Sequence, residues 1–166
     1  MELVAVLTKR KPLFVKRNLC SACGGRCCKS YPGIALPSDF KKPIAKSLRT
    51  ALSSGRWAID WWEGDPRVGR DKLSQVYFVR PAVFGKEGAL TDASWGGRCT
   101  FLGENGCQLP LQERPTDCHE LEPVKSLNWN NPECISHGKG KREKVVCWLR
   151  YQALIQEIIN ELQGEQ

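Results

Sequence analysis

The clearest hydrophobic pattern in the chain lies at its C-terminal end. Apolar side chains recur there every three or four residues, at Val145, Trp148, Leu149, Ile155, Ile158, Ile159 and Leu162. This spacing places them on one face of a helix. We therefore predict an amphipathic helix over about 143–163, with its apolar face against the core or a partner.

A second helical pattern occurs early in the chain. Ile44, Leu48 and Leu52 are spaced by four residues and give a narrow apolar face. Ser38 and Asp39 precede the pattern, and both are residue types that cap helix N-termini. The sequence predicts a surface helix within 40–52.

Two stretches alternate in the manner of half-buried strands. Trp57, Ile59 and Trp61 form the first, and residues 76–79 form the second, which ends at Arg80-Pro81. A further hairpin is predicted at 99–107, because Asn105-Gly106 favours a tight turn that would bring Cys99 and Cys107 together at its base. The fold class that follows is α+β, a small loop-rich single domain over 1–166 with short strands between an early surface helix and a C-terminal amphipathic one.

Composition and the first apolar run indicate in which cellular compartment the protein is expected. The chain has 166 residues, of which 41% are hydrophobic and 26% charged, as is typical of a globular protein. Its opening apolar run, 3–7, is too short for a signal sequence or a membrane span. We expect a cytoplasmic protein without a membrane partner.

Nine cysteines are the strongest chemical signal. Eight of them form a cysteine-rich core between residues 20 and 140 and are predicted metal ligands: Cys20, Cys23, Cys27, Cys28, Cys99, Cys107, Cys118 and Cys134. Clustered thiols in a reducing compartment are more often ligands than disulfides. Cys147 lies within the predicted C-terminal helix, where we expect a buried apolar role instead.

The metal remains open between two choices. All-thiolate coordination suits both tetrahedral Zn²⁺ and an iron–sulfur cluster. The close run Cys20, Cys23 and Cys27 or Cys28, combined with a distant fourth cysteine, slightly favours iron–sulfur. His119 and His137 each follow a cysteine and could substitute as ligands, although a solvated or hydrogen-bonded state is expected for both.

The charge of the chain changes once metal is considered. Its formal net charge is +7, but two tetrathiolate zinc sites of about −2 each would bring the total to roughly +3. The basic run Lys9-Arg10-Lys11 is expected to be a solvated loop. A nucleic-acid partner is therefore only weakly supported, and a protein partner is the stronger expectation.

The order of these motifs resembles that of the CxxCxxCC (YkgJ-like) family, described as a zinc- or iron-chelating domain. Five segments carry the resemblance: Cys20-Ser21-Ala22-Cys23-Gly24, Cys27-Cys28, Cys99-Thr100-Phe101-Leu102 with Gly106-Cys107, Arg114-Pro115-Thr116-Asp117-Cys118, and Cys134 ahead of Gly138-Lys139-Gly140. The sequence departs from the family pattern at residues 24–26. Three residues separate the second and third cysteines here, where the family name implies two. The resemblance implies metal chelation and a distant link to flagellin lysine N-methylases.

Three functions follow as expectations. The first is a metal-binding protein whose metal is structural or transfers electrons to a protein partner; abundant cysteines leave no evident open coordination position, which favours this over catalysis. The second is a metal-dependent protein-modifying enzyme or accessory that uses Asp117, His119 or Glu120 as acid or base. The third is a zinc module that binds protein or nucleic acid.

Overall fold

The computed structural model describes residues 26–68, 75–94, 96–123, 134–136 and 140–164. The apolar run at 3–7, the basic run at 9–11, Cys20, Cys23 and His137 lie outside the described residues. Among the described residues, the helices are α1 Arg26–Ser30, α2 Ile44–Ser53, α3 Thr116–Glu120, α4 Lys141–Val146 and α5 Gln152–Gly164. Short 3₁₀ helices occupy Pro37–Asp39, Leu111–Glu113 and Leu149–Tyr151.

The strands form three antiparallel pairs. These are β1 Trp57–Glu63 with β2 Gln75–Pro81, β3 Leu102–Gly103 with β4 Gly106–Cys107, and β5 Leu121–Pro123 with β6 Cys134–Ser136. In the longest pair Ile59 lies opposite Val79. Helices combined with short antiparallel strands confirm the α+β class.

The core lies between the β1–β2 pair and the helices α2, α4 and α5. Its fully buried members include Leu48 of α2, Phe78 of β2, and Trp148 and Ile155 from the C-terminal part of the chain. The predicted apolar faces of both helices are therefore confirmed as core-facing. The longest described helix, α5, has 13 residues, and no helix in the described part of the chain is long and apolar enough to cross a membrane.

The early helix begins later than the sequence predicts. Pro43 is its N-cap and the helix starts at Ile44 rather than near Phe40. A proline disfavours helical geometry in the residue before it, so Lys42 cannot continue a helix into Pro43. Asp39 instead accepts a hydrogen bond from the backbone N–H of Leu36 in its own 3₁₀ turn, at 2.8 Å.

The C-terminal helix is interrupted. Between α4 and α5 the chain passes through Cys147 and Trp148 and then tightens into the 3₁₀ turn at Leu149–Tyr151. The Trp148 indole donates to the backbone carbonyl of Ala35 at 2.8 Å, and the Gln152 amide bonds both backbone polar groups of Tyr77. The interruption thus lies where the Trp148 indole bonds to Ala35 and the Gln152 amide bonds to Tyr77 of β2.

Candidate metal centre

A pair of backbone hydrogen bonds joins the N-terminal cysteine segment to the central one. The carbonyl of Cys28 accepts from the N–H of Cys99 at 2.6 Å, and the carbonyl of Ser30 accepts from the N–H of Gly97 at 2.8 Å. Gly97 has a φ of 127°, a conformation that favours glycine. Its position permits this pairing, and the pairing brings the Cys28 and Cys99 backbones side by side.

The predicted hairpin forms, with its turn shifted by one residue. Leu102 pairs with Cys107 and Gly103 with Gly106, so that Glu104 and Asn105 form the turn. Gly106 follows at a φ of 101°. Cys99 lies just before the hairpin, where its carbonyl accepts from the N–H of Leu102 at 3.1 Å.

The Cys99 thiol occupies an apolar environment close to Cys107. It is 6% exposed, and burial, with a smaller contribution from Cys107, raises its pKa to about 11. Such a thiol stays protonated at neutral pH unless something compensates the thiolate charge. A bound metal cation would supply that compensation, since a coordinating thiol is deprotonated outright.

Cys118 is held by the short helix α3. Asp39 fixes the N-terminus of this helix, accepting from the Thr116 N–H at 2.8 Å and from the Thr116 hydroxyl at 2.6 Å. A β-carbon added to Gly33 would stand 2.5 Å from the Cys118 Sγ. Glycine at position 33 therefore lets the Cys118 thiol lie directly against the backbone that follows the Cys27-Cys28 pair.

Lys144 of α4 forms ion pairs with two carboxylates of helix α3. Its Nζ lies 2.8 Å from Asp117 Oδ1 and 2.7 Å from Glu120 Oε2. Burial acts to lower the pKa of Lys144, but the bonds to the two carboxylates outweigh burial and raise that pKa. Asp117 and Glu120 are thus engaged in an ion cluster, which disfavours either as a free acid or base.

The basic stretch at the start of α4 acquires specific partners. Lys141 lies over the rings of Trp62 and Phe78, with its Nζ 5.6 and 5.3 Å from the ring centroids. Arg142 donates to the backbone carbonyls of Pro66 and Arg67. The sequence pattern predicted neither these roles nor that of Lys144. The one available signal was a lysine next to the apolar position 145.

His119 and Cys147 differ in how they fit their predictions. Burial is the largest cause of a lowered pKa for His119, so its imidazole is held neutral. His119 is half-buried and has a backbone hydrogen bond with Arg114, which agrees with the hydrogen-bonded one of its two expected states. Cys147 is also only half-buried, less than predicted, and its Sγ donates to the Glu143 carbonyl at 3.5 Å.

The predicted ligands are partly brought together. Four of the eight have described side chains, namely Cys28, Cys99, Cys107 and Cys118, and all four are free thiols. Cys27 lies in α1 and Cys134 in β6. Among the described residues no group of three or more cysteine, histidine or carboxylate side chains is arranged to hold a metal ion.

The donor chemistry nevertheless fits a thiolate-bound metal. The described thiols lie on segments that hydrogen bonds join, and Gly33 leaves room for the Cys118 sulfur. Sulfur donors select zinc or iron–sulfur clusters over hard cations such as Mg²⁺. Cys28, Cys99, Cys107 and Cys118 are the predicted ligands whose side chains are described; each could contribute one thiolate, but the described residues alone do not form a metal-binding group.

Comparison of the chain with protein-family models, curated proteins and solved structures found no match. The resemblance to the CxxCxxCC family therefore stays a prediction that rests on the motif residues alone.

Proposed function

We propose that this protein binds a metal through its cysteines, as an iron–sulfur cluster or as Zn²⁺, and that the metal is structural or passes electrons to a protein partner. The observation that carries the proposal is the 2.6 Å hydrogen bond from the Cys99 N–H to the Cys28 carbonyl. Through this bond, two cysteine segments separated by about seventy residues of sequence become neighbours. Free cysteines on segments joined in this way support a metal site, because clustered cysteines in a reducing compartment are more often metal ligands than disulfides.

An iron–sulfur cluster is favoured slightly over zinc. One close group of cysteines, Cys20 to Cys28, combined with distant single cysteines, is the spacing that cluster sites use. The burial of Cys99 also suits a cluster, because a low-polarity surrounding tunes the reduction potential of the bound iron. Electron transfer would require a protein partner.

Catalysis at this site has less support. Asp117 and Glu120 each lie within 2.8 Å of the Lys144 Nζ, so both carboxylates are already engaged by an ion-pair partner. The remaining candidate, His119, is half-buried. These contacts favour a structural or redox metal over an enzyme that uses the three residues as acid or base.

The test is anaerobic purification followed by analysis of iron, zinc and acid-labile sulfide and by visible absorption spectroscopy. We expect iron with sulfide and a brown protein for a cluster, or zinc in a colourless protein for a tetrathiolate site. A folded protein that contains neither metal would overturn the proposal.

A further inference from the structure

The most deeply buried ammonium group described in this chain belongs to Lys144. The residue is 2% exposed, although lysine is rarely buried unless it is paired. Its two carboxylate partners, Asp117 and Glu120, flank Cys118 on the five-residue helix α3. Lys144 itself belongs to α4, so the ion cluster fastens the C-terminal part of the chain to the helix that carries Cys118.

Asp117 extends this connection to a third segment. Its Oδ1 faces Lys144, while its Oδ2 accepts a hydrogen bond from the Ile34 N–H at 3.1 Å. A second bond, from the Asp117 N–H to the Ile34 carbonyl at 3.3 Å, joins the same two residues. The Asp117 carboxylate therefore lies between α4 and the segment that contains Gly33.

The position of the Cys118 sulfur depends on these contacts. Cys118 follows Asp117 directly, and its Sγ lies against Gly33, which precedes Ile34. Movement of Asp117 away from Ile34 would move the sulfur off the glycine surface. Hydrogen-bonded groups that orient a metal ligand in this manner are a regular part of metal sites.

Charge supplies a second reason for a buried cation at this place. Two carboxylates beside a metal-binding thiolate would repel the negative charge that the thiolate must carry. The Lys144 ammonium, within 2.8 Å of both carboxylates, offsets part of that charge. Its removal would both release Asp117 and leave the carboxylates uncompensated.

We propose that Lys144 is a positioning residue for the metal ligand Cys118, acting through Asp117. This inference rests on the proposed function, because it concerns the same thiolate site. Lys144 would touch neither the metal nor the thiolate. It would hold the Asp117 carboxylate in place, and Asp117 would in turn hold helix α3, which carries Cys118.

The experiment titrates the full chain, in its metal-free reduced form, with Co²⁺ and records the thiolate-to-cobalt charge-transfer absorption. The variants are Lys144→Met and Asp117→Asn, with Cys118→Ser as the reference for loss of one thiolate. Arg49→Met is the matched control, since Arg49 also joins two parts of the chain through carboxylates, Glu157 and Glu161, at 2.8 Å each. Arg49 connects α2 with α5 and touches no predicted ligand.

We expect Lys144→Met and Asp117→Asn to weaken Co²⁺ binding by about 10- to 100-fold, the usual effect of removing a group that orients a ligand. Their charge-transfer intensity should fall to that of Cys118→Ser, a change that a general loss of stability would not produce. Arg49→Met should match the wild type in both affinity and spectrum. Together these results would support the inference.

Two results would each overturn a different claim, one the proposed metal binding and the other the role of Lys144. If the wild type forms no cobalt–thiolate absorption, the proposed function itself fails. If the wild type binds Co²⁺ and the variants keep its affinity and spectrum, the role of Lys144 is wrong while metal binding stands. Should Lys144→Met not fold, Asp117→Asn decides the question alone, because it keeps the contact between Lys144 and Glu120.

Discussion

The sulfur of Cys118 and the α-carbon of Gly33 are in such close contact that a β-carbon at position 33 would stand 2.5 Å from the Sγ. The two residues are brought together by a long-range pairing, in which Asp117 and Ile34 bond through backbone and side chain. Gly33 is buried. The contact therefore links the segment after the Cys27-Cys28 pair to a predicted ligand in the second half of the chain.

The first prediction concerns Gly33→Ala. The added methyl must displace the Cys118 sulfur, and overpacking of this kind costs about 1–3 kcal/mol of unfolding free energy. We expect that loss in urea denaturation, together with weaker metal retention against a chelator. Gly164→Ala is the control, because a β-carbon there meets nothing within 4 Å. Equal stability and metal retention for both variants would refute the contact.

The second prediction concerns the buried ion pair of Arg80. Its side chain is fully buried, and its Nε donates to Asp60 Oδ2 at 2.8 Å. Arg80→Leu leaves the Asp60 carboxylate buried without this partner, which typically costs about 3–5 kcal/mol. Arg49→Leu breaks exposed ion pairs instead and should cost less than about 1 kcal/mol. Equilibrium urea unfolding of both variants measures the difference; similar losses would contradict the assignment.

The third prediction concerns pH and His119. Burial lowers the pKa of His119 below its ordinary value, so below about pH 6.5 the unfolded chain binds a proton that the folded chain does not. Stability should therefore fall as the pH drops from about 6.5 toward the lowered pKa of the folded state. His119→Gln should reduce this slope, as measured by chemical denaturation at several pH values. An unchanged slope would show that another group is responsible.

The fourth prediction concerns removal of the metal. Binding free energy contributes to folding at cysteine sites, so a chelator should loosen the loop-rich centre first. We expect faster hydrogen exchange at the amides of Gly97 and Cys99, which bond to the N-terminal segment. Amides of α5 near Ile155 and Ile159, which lie in the apolar core, should change little. Uniform exchange across both regions would argue against a local stabilising role.

Local patterns predicted most of the regular structure. The period of apolar residues located both principal helices, because one face of each packs into the core as at Leu48 and Ile155. Alternation at Trp57, Ile59 and Trp61 located β1, but the half-buried pattern it predicted is wrong, because Ala58, Ile59 and Asp60 are all buried. The turn-forming pair Asn105-Gly106 predicted the β3–β4 hairpin, although the turn itself lies at Glu104 and Asn105.

The contacts that shape the candidate site could not be predicted in this way. Asp39 has the sequence context of a cap for the helix after it, yet the N-cap of that helix is Pro43, and Asp39 instead caps α3 through Thr116, 77 residues away. Lys144 stands in a basic run that suggested no partner, while its carboxylates lie on α3. Such pairings depend on the tertiary arrangement, and neither residue type nor local spacing determines it.

The most direct test of the account is the metal content per chain of three proteins purified anaerobically side by side: the wild type, Cys118→Ser and Cys147→Ser. Cys118 is a predicted ligand, whereas Cys147 is a half-buried helix residue whose Sγ donates to the Glu143 carbonyl. We predict a whole-number metal content for the wild type and for Cys147→Ser, and a clear loss in Cys118→Ser. Equal metal content in the two variants, or none in the wild type, would contradict the claim that these cysteines hold a metal.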